Sequence, residues 1–161
     1  AFEKEDSDTF FVKLLSHSQP SQRPMFVATE MGQYTLRDYL DMQQEDGVAL
    51  PSRDLWGIAK SILRAVAALH AKGLVHMDLK PENMMVFDRH LKLIDIEGVL
   101  SAKTDFSPGR ESVTVTPAYC APELARLLVD SRESRTNQSI TLSSTLDVWS
   151  VGMILCELVT L

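Results

Sequence analysis

One short polar segment constrains this chain more than any other: residues 76–83 read HMDLKPEN, and Asp95 follows twelve residues after Asn83. Between them, residues 84–87 and 91–94 are apolar runs separated by a polar turn. A strand advances about 3.3 Å per residue, so two four-residue strands cover the same distance out and back. We therefore expect a β-hairpin that returns Asp95 to the vicinity of Asn83.

The residue types in this segment suit phosphoryl transfer. That reaction requires that a hydroxyl be oriented, that magnesium be held on the phosphates and that developing charge be neutralised. Asp78 can accept the hydroxyl proton, and Lys80 is a compact positive charge for the transferred phosphate. Asn83 and Asp95 supply the hard oxygen ligands that magnesium prefers. Alone, Asp95 would simply end a strand; with the upstream residues, a shared metal site is the stronger interpretation.

The segment HMDLKPEN resembles the catalytic loop of protein kinases, which is written H-R-D-x-x-x-x-N. Three further motifs occur in the order of that family: MFVATEMG at residues 25–32, TPAYCAPE at 116–123 and DVWSVG at 147–152. They resemble the strand and hinge between the two lobes, the substrate loop ending in A-P-E, and the start of the central helix of the large lobe. Four matches in order are much more specific than any one of them.

The resemblance implies an α+β, protein-kinase-like fold. Residues 1–32 would form the end of the small β lobe and the hinge, and residues 33–161 the mainly helical large lobe, with the activation loop at about 97–116. A complete domain would also have a glycine-rich loop, a strand lysine and later helices, which this sequence does not contain. We therefore expect an incomplete kinase domain that is inactive by itself.

By the same resemblance, the expected cofactors are ATP and Mg²⁺. Thr29 would be the gatekeeper at the back of the adenine pocket, and the backbones of Glu30 and Gly32 would bond the adenine. Lys80, Asn83 and Asp95 would contact the nucleotide as well, with Asn83 and Asp95 holding the metal. Asp78 and Lys80 would be the catalytic residues.

A protein substrate is the partner that the family implies. Lys80, two residues after Asp78, is the form of the loop found in serine/threonine kinases. Thr116 agrees with this, because such kinases place a threonine near the catalytic Asp–Lys pair. Glu82 is a candidate for attracting a basic residue of the substrate.

Three residues are expected to be structural. His76 would pack against the segment that begins at Asp95 and hydrogen-bond the backbone. Asp147 would accept backbone N–H bonds from the catalytic loop, the plain alternative being a carboxylate in the first turn of a helix. Glu123 would pair with an arginine that lies beyond residue 161.

Met77 departs from the family pattern, because the family usually has an arginine here that binds a phosphate on the activation loop. A methionine cannot pair with phosphate, so the resemblance implies a kinase of the non-RD type. We hypothesise that phosphorylation of Ser107, Ser112 or Thr114 does not switch the enzyme by that route. The alternative is that these hydroxyls are ordinary loop residues.

Ile96 and Glu97 replace the phenylalanine and glycine of the D-F-G motif. Ile96 can still fill an apolar slot. Three roles remain open for Glu97: it helps to hold a second metal, it restricts the movement of the loop, or it points at solvent.

Local patterns predict several elements. Thr35 and Asp38 have the spacing of a capping box. Apolar residues at helical spacing predict a helix from Ser52 to about Ala71, stopped near Gly73. We further expect a strand at 10–15, a polar linker at 131–145, and a helix from 146 that is apolar on nearly every face and hence buried all round.

Composition excludes some classes of function. The net charge of −6 argues against a general nucleic-acid or anionic-membrane surface. Two cysteines form no disulfide framework, and no apolar run reaches the ~18 residues of a membrane span. We expect no signal peptide and an intracellular location, cytoplasmic or nuclear; the oligomeric state is open.

Two other functions stay open at this point. A pseudokinase or scaffold would bind nucleotide or a partner without transfer, as Met77 and Glu97 allow. A small-molecule phosphotransferase also has an H-x-D loop with a later asparagine, but the A-P-E segment and the motif from Asp147 to Gly152 favour a protein kinase.

Overall fold

The fold is seen in a computed structural model, which describes residues 10–21, 23–47, 49–88, 90–108, 113–134 and 138–160. Strands and helices are mixed, which confirms the α+β class. The helices are α1 (Leu36–Asp46), α2 (Ser52–Ala71), α3 (Pro122–Ser134) and α4 (Thr145–Thr160). The strands are β1 (Leu14–His17), β2 (Val27–Thr29), β3 (Tyr34–Thr35), β4 (Leu74–Val75), β5 (Met84–Phe87), β6 (His90–Leu93), β7 (Leu100–Ser101), β8 (Asp105–Phe106) and β9 (Ile140–Thr141).

The strands pair antiparallel in small sheets. β1 pairs with β2, β4 with β7, and β8 with β9, while β3, β5 and β6 form a three-stranded sheet with β5 in the middle. The segment before β1 lies beside strand β6, where Phe11 bridges Leu93, and β6 ends two residues before Asp95.

Helix α1 begins at the predicted capping box. The backbone N–H of Thr35 donates to Asp38 Oδ2 at 2.8 Å, and the N–H of Asp38 donates to Thr35 Oγ1 at 3.1 Å. The helix ends at Gly47, whose φ of 62° is the left-handed conformation that glycine adopts without strain.

Helix α2 has the bounds that the sequence predicts, and its buried side chains form the centre of the core. Ile62, Val66 and Leu69 pack in one cluster with residues of α1, the catalytic segment, the hairpin and α4. Among these residues are Leu40, Leu79, Met84, Leu93, Val151, Ile154 and Leu158. Gly73 follows the helix with φ 72°, as a C-terminal stop requires. The catalytic segment therefore rests on a continuous apolar core.

The hairpin forms as expected, but its second strand lies one residue earlier than predicted. Met84 faces Leu93, and Phe87 faces His90. Ile94 leaves the strand ladder but donates its N–H to Asn83 O at 3.0 Å. The hairpin therefore brings residue 94 back to Asn83, one residue before Asp95.

Two predicted elements are corrected. The strand predicted at 10–15 is shifted, since Phe11 forms an isolated bridge with Leu93 and β1 begins only at Leu14. The predicted polar linker at 131–145 is not a linker throughout. Its first four residues complete α3, because polar residues fit an exposed helical turn, and Ile140 and Thr141 pair with β8.

Helix α4 is buried on one face and not all round. Leu146, Val151, Ile154 and Leu158 face the core, whereas Val148 is 60% exposed and Val159 is 63% exposed. Within the described ranges no element covers that second face. No helix among the described residues has the length and apolar character that crossing a bilayer demands.

Candidate active site

Asp78, Lys80 and Thr116 form a closed triangle of hydrogen bonds. Lys80 Nζ donates to Asp78 Oδ2 and to Thr116 Oγ1, both at 2.9 Å. The backbone N–H of Thr116 donates to the other oxygen, Asp78 Oδ1, at 2.7 Å. The triangle fixes the substrate-loop residue directly beside the carboxylate and the ammonium group, although 36 residues separate Lys80 from Thr116.

The backbone of the catalytic loop is held from behind by Asp147, which is fully buried (0% exposed) in the first turn of α4. Its Oδ2 accepts the N–H of His76 and its Oδ1 accepts the N–H of Met77, each at 2.9 Å. His70 Nε2, from the last turn of α2, lies 2.8 Å from Oδ2. Asp147 thus accepts two backbone N–H groups of the catalytic loop and contacts His70 of α2.

Met77 takes the strained backbone position of the loop, with φ 69°. Its side chain is buried in an apolar cluster that includes Val75, Phe106 and Leu124. Where the family usually has a phosphate-binding arginine, this chain therefore has a methionine whose side chain packs between β4, β8 and α3.

Among the described residues, the ring of His76 does not form the hydrogen bond to the backbone that the family resemblance implies. The side chain is only 3% exposed, and within the described part of the chain neither ring nitrogen has a hydrogen-bond partner. Its backbone N–H, not its imidazole, makes the contact that orders the loop.

Asn83 immediately precedes β5 and Asp95 follows β6 after one residue, so both lie at the open end of the hairpin. Asn83 is buried, and its amide nitrogen donates to the backbone oxygen of Asp78 at 2.9 Å. Asp95 follows β6 and has φ 56°, a conformation in which aspartate is tolerated. An amide oxygen and one carboxylate fit Mg²⁺, which is bound through few protein ligands together with substrate phosphates. No cluster of three or more His, Cys, Asp or Glu side chains suited to a metal occurs among the described residues.

The proposed hinge lies against strand β5. The N–H of Gln33 donates to Val86 O at 2.8 Å, and Gly32 is packed so closely that a Cβ atom there would overlap the side chain of Met85. Thr29 is an exposed residue of β2 opposite Leu14. Gly32 therefore lies against the hairpin at Met85, two residues after Asn83.

Glu30, the second hinge residue, makes contacts that the sequence does not reveal. Its carboxylate pairs with Lys92 Nζ at 2.6 Å and accepts the backbone N–H of Lys13 at 2.8 Å. The hydrogen bond from Lys92 lowers the pKa of the Glu30 carboxyl below its ordinary value. Glu30 is therefore ionised at neutral pH.

Glu82 belongs to a polar network centred on Arg37. Arg37 Nε lies 3.3 Å from Glu82 Oε1, and Arg37 Nη1 lies 2.7 Å from Glu157 Oε1. Tyr119 OH accepts from Arg37 Nη2 at 2.8 Å and donates to Glu157 Oε2 at 2.6 Å. The network joins α1, the catalytic loop, the substrate loop and α4.

Burial and the hydrogen bonds of the network shift the pKa values of Tyr119 and Glu157. Burial, followed by the hydrogen bond to Glu157, raises the pKa of the Tyr119 hydroxyl. Partial burial raises the pKa of Glu157, but the hydrogen bonds from Arg37 and Tyr119 outweigh it and leave that pKa below its ordinary value. The sequence analysis did not identify Arg37 and Glu157 as site residues. The only hint in the sequence is that each is a charged residue within a helix that also has apolar residues, Arg37 in α1 and Glu157 in α4.

The remaining residues singled out by sequence are outside these contacts. Glu123 is exposed in the first turn of α3 and has no ion pair within the described part of the chain. Thr114 is exposed, Ser107 is partly exposed, and Ser112 lies outside the described residues, as does the side chain of Glu97. Burial raises the pKa of the Cys120 thiol, in keeping with an inert cysteine.

Comparisons with known proteins identify the family of this chain. A family model described as protein kinase domain matches residues 4–161. The chain is 33% identical over 137 residues to the serine/threonine-protein kinase TIO of Arabidopsis thaliana, covering 84% of the chain and 9% of that protein. It is 30% identical over 150 residues to the human phosphorylase b kinase gamma catalytic chain, liver/testis isoform, covering 91% and 34%.

A third relative is human calcium/calmodulin-dependent protein kinase type IV, 39% identical over 106 residues that cover 63% of the chain and 20% of the relative. The chain thus spans about a third or less of the length of each of these relatives.

Proposed function

Because the chain belongs to the protein kinase domain family, we propose that the parent protein transfers the γ-phosphoryl group of ATP to serine or threonine side chains of proteins. The observation that carries this proposal is the triangle of Asp78, Lys80 and Thr116. It supports a site where an acceptor hydroxyl would meet a carboxylate and a positive charge at once.

Asp78 is the residue that orients the acceptor hydroxyl and accepts its proton. Lys80 neutralises charge on the transferred phosphoryl group, and its hydrogen bond to Asp78 Oδ2 fixes the orientation of that carboxylate. Thr116 anchors the substrate loop to both groups through its backbone N–H and its hydroxyl. Loss of the Thr116 hydroxyl therefore loosens Lys80.

Asn83 and Asp95 are the residues that would hold Mg²⁺ on the nucleotide. When bound, the ion neutralises phosphate charge during transfer. Asn83 is oriented by its hydrogen bond to the Asp78 backbone, so the metal ligand and the proton acceptor are set by one loop. Thr29, Glu30 and Gly32 are proposed to border the adenine.

Glu82 is proposed to face the protein substrate. Its side chain is exposed, and Arg37 engages one of its carboxylate oxygens. Its attraction for a basic residue of the substrate is therefore reduced and acts through the other oxygen. Met77 supports regulation without a loop phosphate, since its buried side chain offers no cation there. His76, Glu123 and Asp147 are assigned structural roles.

The free thiols of Cys120 and Cys156 support an intracellular location for the parent protein. A pseudokinase that binds nucleotide without transfer is the alternative function, which Glu97 in place of the D-F-G glycine favours.

A transfer assay on the full-length protein separates the two. With Mg-ATP and a generic protein substrate, the wild-type protein is expected to form phosphoserine or phosphothreonine, and Asp78→Asn to lose activity by about 10²-fold or more. Binding of Mg-ATP without any transfer establishes the alternative instead. Transfer that survives Asp78→Asn unchanged contradicts the proposed role of Asp78.

A further inference from the structure

The hinge is tied to the strand that leads to Asp95 by an ion pair that the proposed chemistry does not use. Lys92 Nζ lies 2.6 Å from Glu30 Oε1, with the two side chains 14% and 25% exposed. The same carboxylate oxygen accepts the N–H of Lys13 at 2.8 Å. One carboxylate therefore joins the segment before β1, the hinge and strand β6.

Lys92 is also held by an aromatic ring. Its Nζ lies 5.0 Å from the centroid of Phe87, which is buried at the end of β5. The same ring lies beneath the hinge, because a Cβ atom added to Gly32 would be 3.1 Å from Phe87 Cζ. Phe87 thus contacts the lysine on one side and the hinge on the other.

Backbone hydrogen bonds run parallel to the ion pair. The N–H of Glu30 donates to Lys13 O at 3.0 Å, and the N–H of Val12 donates to Leu93 O at 3.0 Å. Leu93 is two residues before Asp95. Residues 12 and 13 therefore connect the hinge to β6, and through β6 to Asp95, by backbone hydrogen bonds. The ion pair of Glu30 and Lys92 adds a direct side-chain contact between the hinge and β6.

We propose that Glu30 and Lys92 are positioning residues, which hold the hinge backbone at a fixed place relative to Asp95 and so set the affinity for Mg-ATP. This inference rests on the proposed function for the location of the nucleotide. A charge-assisted bond between partly buried side chains is stronger than an exposed one, and removing one partner leaves the other charge poorly compensated. The hinge then loses its side-chain contact with β6.

The test compares Mg-ATP dissociation constants of variants of the full-length protein, measured by calorimetry. Lys92→Met is expected to weaken binding about three- to tenfold, and the conservative Lys92→Arg to stay within about twofold of wild type. Lys72→Met, which removes an exposed lysine after α2, is the matched control and should leave the affinity unchanged. The kcat at saturating ATP should change less than KM for ATP.

Glu30→Gln separates positioning from simple electrostatics. Loss of a negative charge near a polyanionic nucleotide strengthens its binding if long-range charge alone matters. Positioning predicts the opposite, a weakening like that of Lys92→Met. If Glu30→Gln binds Mg-ATP as tightly as wild type or more tightly, the inference is overturned, even when Lys92→Met is unstable or weak.

The failure of the inference is distinguishable from failure of the proposed function. Absence of phosphoryl transfer by a wild-type protein that binds Mg-ATP contradicts the function only, and the dissociation constants still decide the role of the pair. A wild-type protein that does not bind Mg-ATP overturns the inference outright.

Discussion

The carboxylate of Asp147 lies directly behind Met77 and accepts its backbone N–H at 2.9 Å, although 70 residues separate the two in sequence. Met77 has φ 69° and immediately precedes Asp78. A single buried side chain on α4 thus fixes a strained residue next to the proposed proton acceptor. The central helix is the part of the fold that sets the shape of the catalytic loop.

Asp147→Ala should therefore destabilise the full-length protein by about 2–4 kcal/mol, because it leaves buried N–H groups of His76 and Met77 without an acceptor. Chemical denaturation measures the effect. Asp46→Ala, which removes an exposed carboxylate at the end of α1, should change the free energy of unfolding by less than about 0.5 kcal/mol. Equal effects of the two substitutions would show that Asp147 does not carry the loop.

Gly32→Ala should destabilise the protein by about 1–3 kcal/mol, because the new methyl group would overlap the side chain of Met85. Gly57→Ala is the control, since a Cβ atom there meets nothing within 4 Å and alanine favours the helix. Adding Met85→Ala to the Gly32→Ala variant should recover part of the loss. Strict additivity of the two substitutions would rule out the overlap as the cause.

Met77→Arg, which restores the usual residue of the family, should cost at least about 3 kcal/mol, since it places a charge in the apolar cluster of Val75, Phe106 and Leu124. Met77→Leu should cost less than about 1.5 kcal/mol. Thermal or urea unfolding of both variants gives the comparison.

A related prediction concerns the hydroxyl residues of the expected activation loop, at about 97–116. Ser107→Asp and Thr114→Asp should leave the transfer activity of the full-length protein unchanged, because no cation at position 77 receives a phosphate. A severalfold rise in activity would refute the hypothesis on regulation.

Glu157 should make folding stability depend on pH in the acid range. Its folded-state pKa lies below the ordinary value, so its contribution is fully present above about 4.3, the pKa of an unperturbed glutamate, and is lost as the pH falls through the lower folded value. The contribution is about 1 kcal/mol, because the pair with Arg37 is only partly buried. Glu157→Gln should reduce the loss of stability below about pH 4.3; an identical pH profile for both proteins would contradict this.

Local patterns were sufficient for much of the fold. Helix α2 has the predicted bounds because its apolar residues recur at helical spacing, and Thr35 with Asp38 caps α1 because the box depends only on neighbouring residues. The predicted bounds of the hairpin strands agree with the observed bounds to within one residue. The polar stretch after residue 130 was harder, since the same residues suit an exposed helical turn and a linker.

The contacts around the site were less accessible to sequence. Arg37, Tyr119 and Glu157 come together from three distant segments, as do Glu30 and Lys92, and no local period records such a meeting. The exposure of Val148 and Val159 on α4 likewise depends on which elements pack nearby. The sequence predicts the residue types of the site, but it does not predict which side chains hold those residues in position.

The position of a metal ion bound with nucleotide to the full-length protein tests the proposed site most directly. Manganese and a non-hydrolysable ATP analogue allow that position to be located by anomalous diffraction. We expect the ion to be bonded to Asn83 Oδ1 and to a carboxylate oxygen of Asp95, on the same side of the cleft as Asp78. An ion bound elsewhere, with the carboxylates of Asp78 and Asp95 on opposite sides of the molecule, would contradict it.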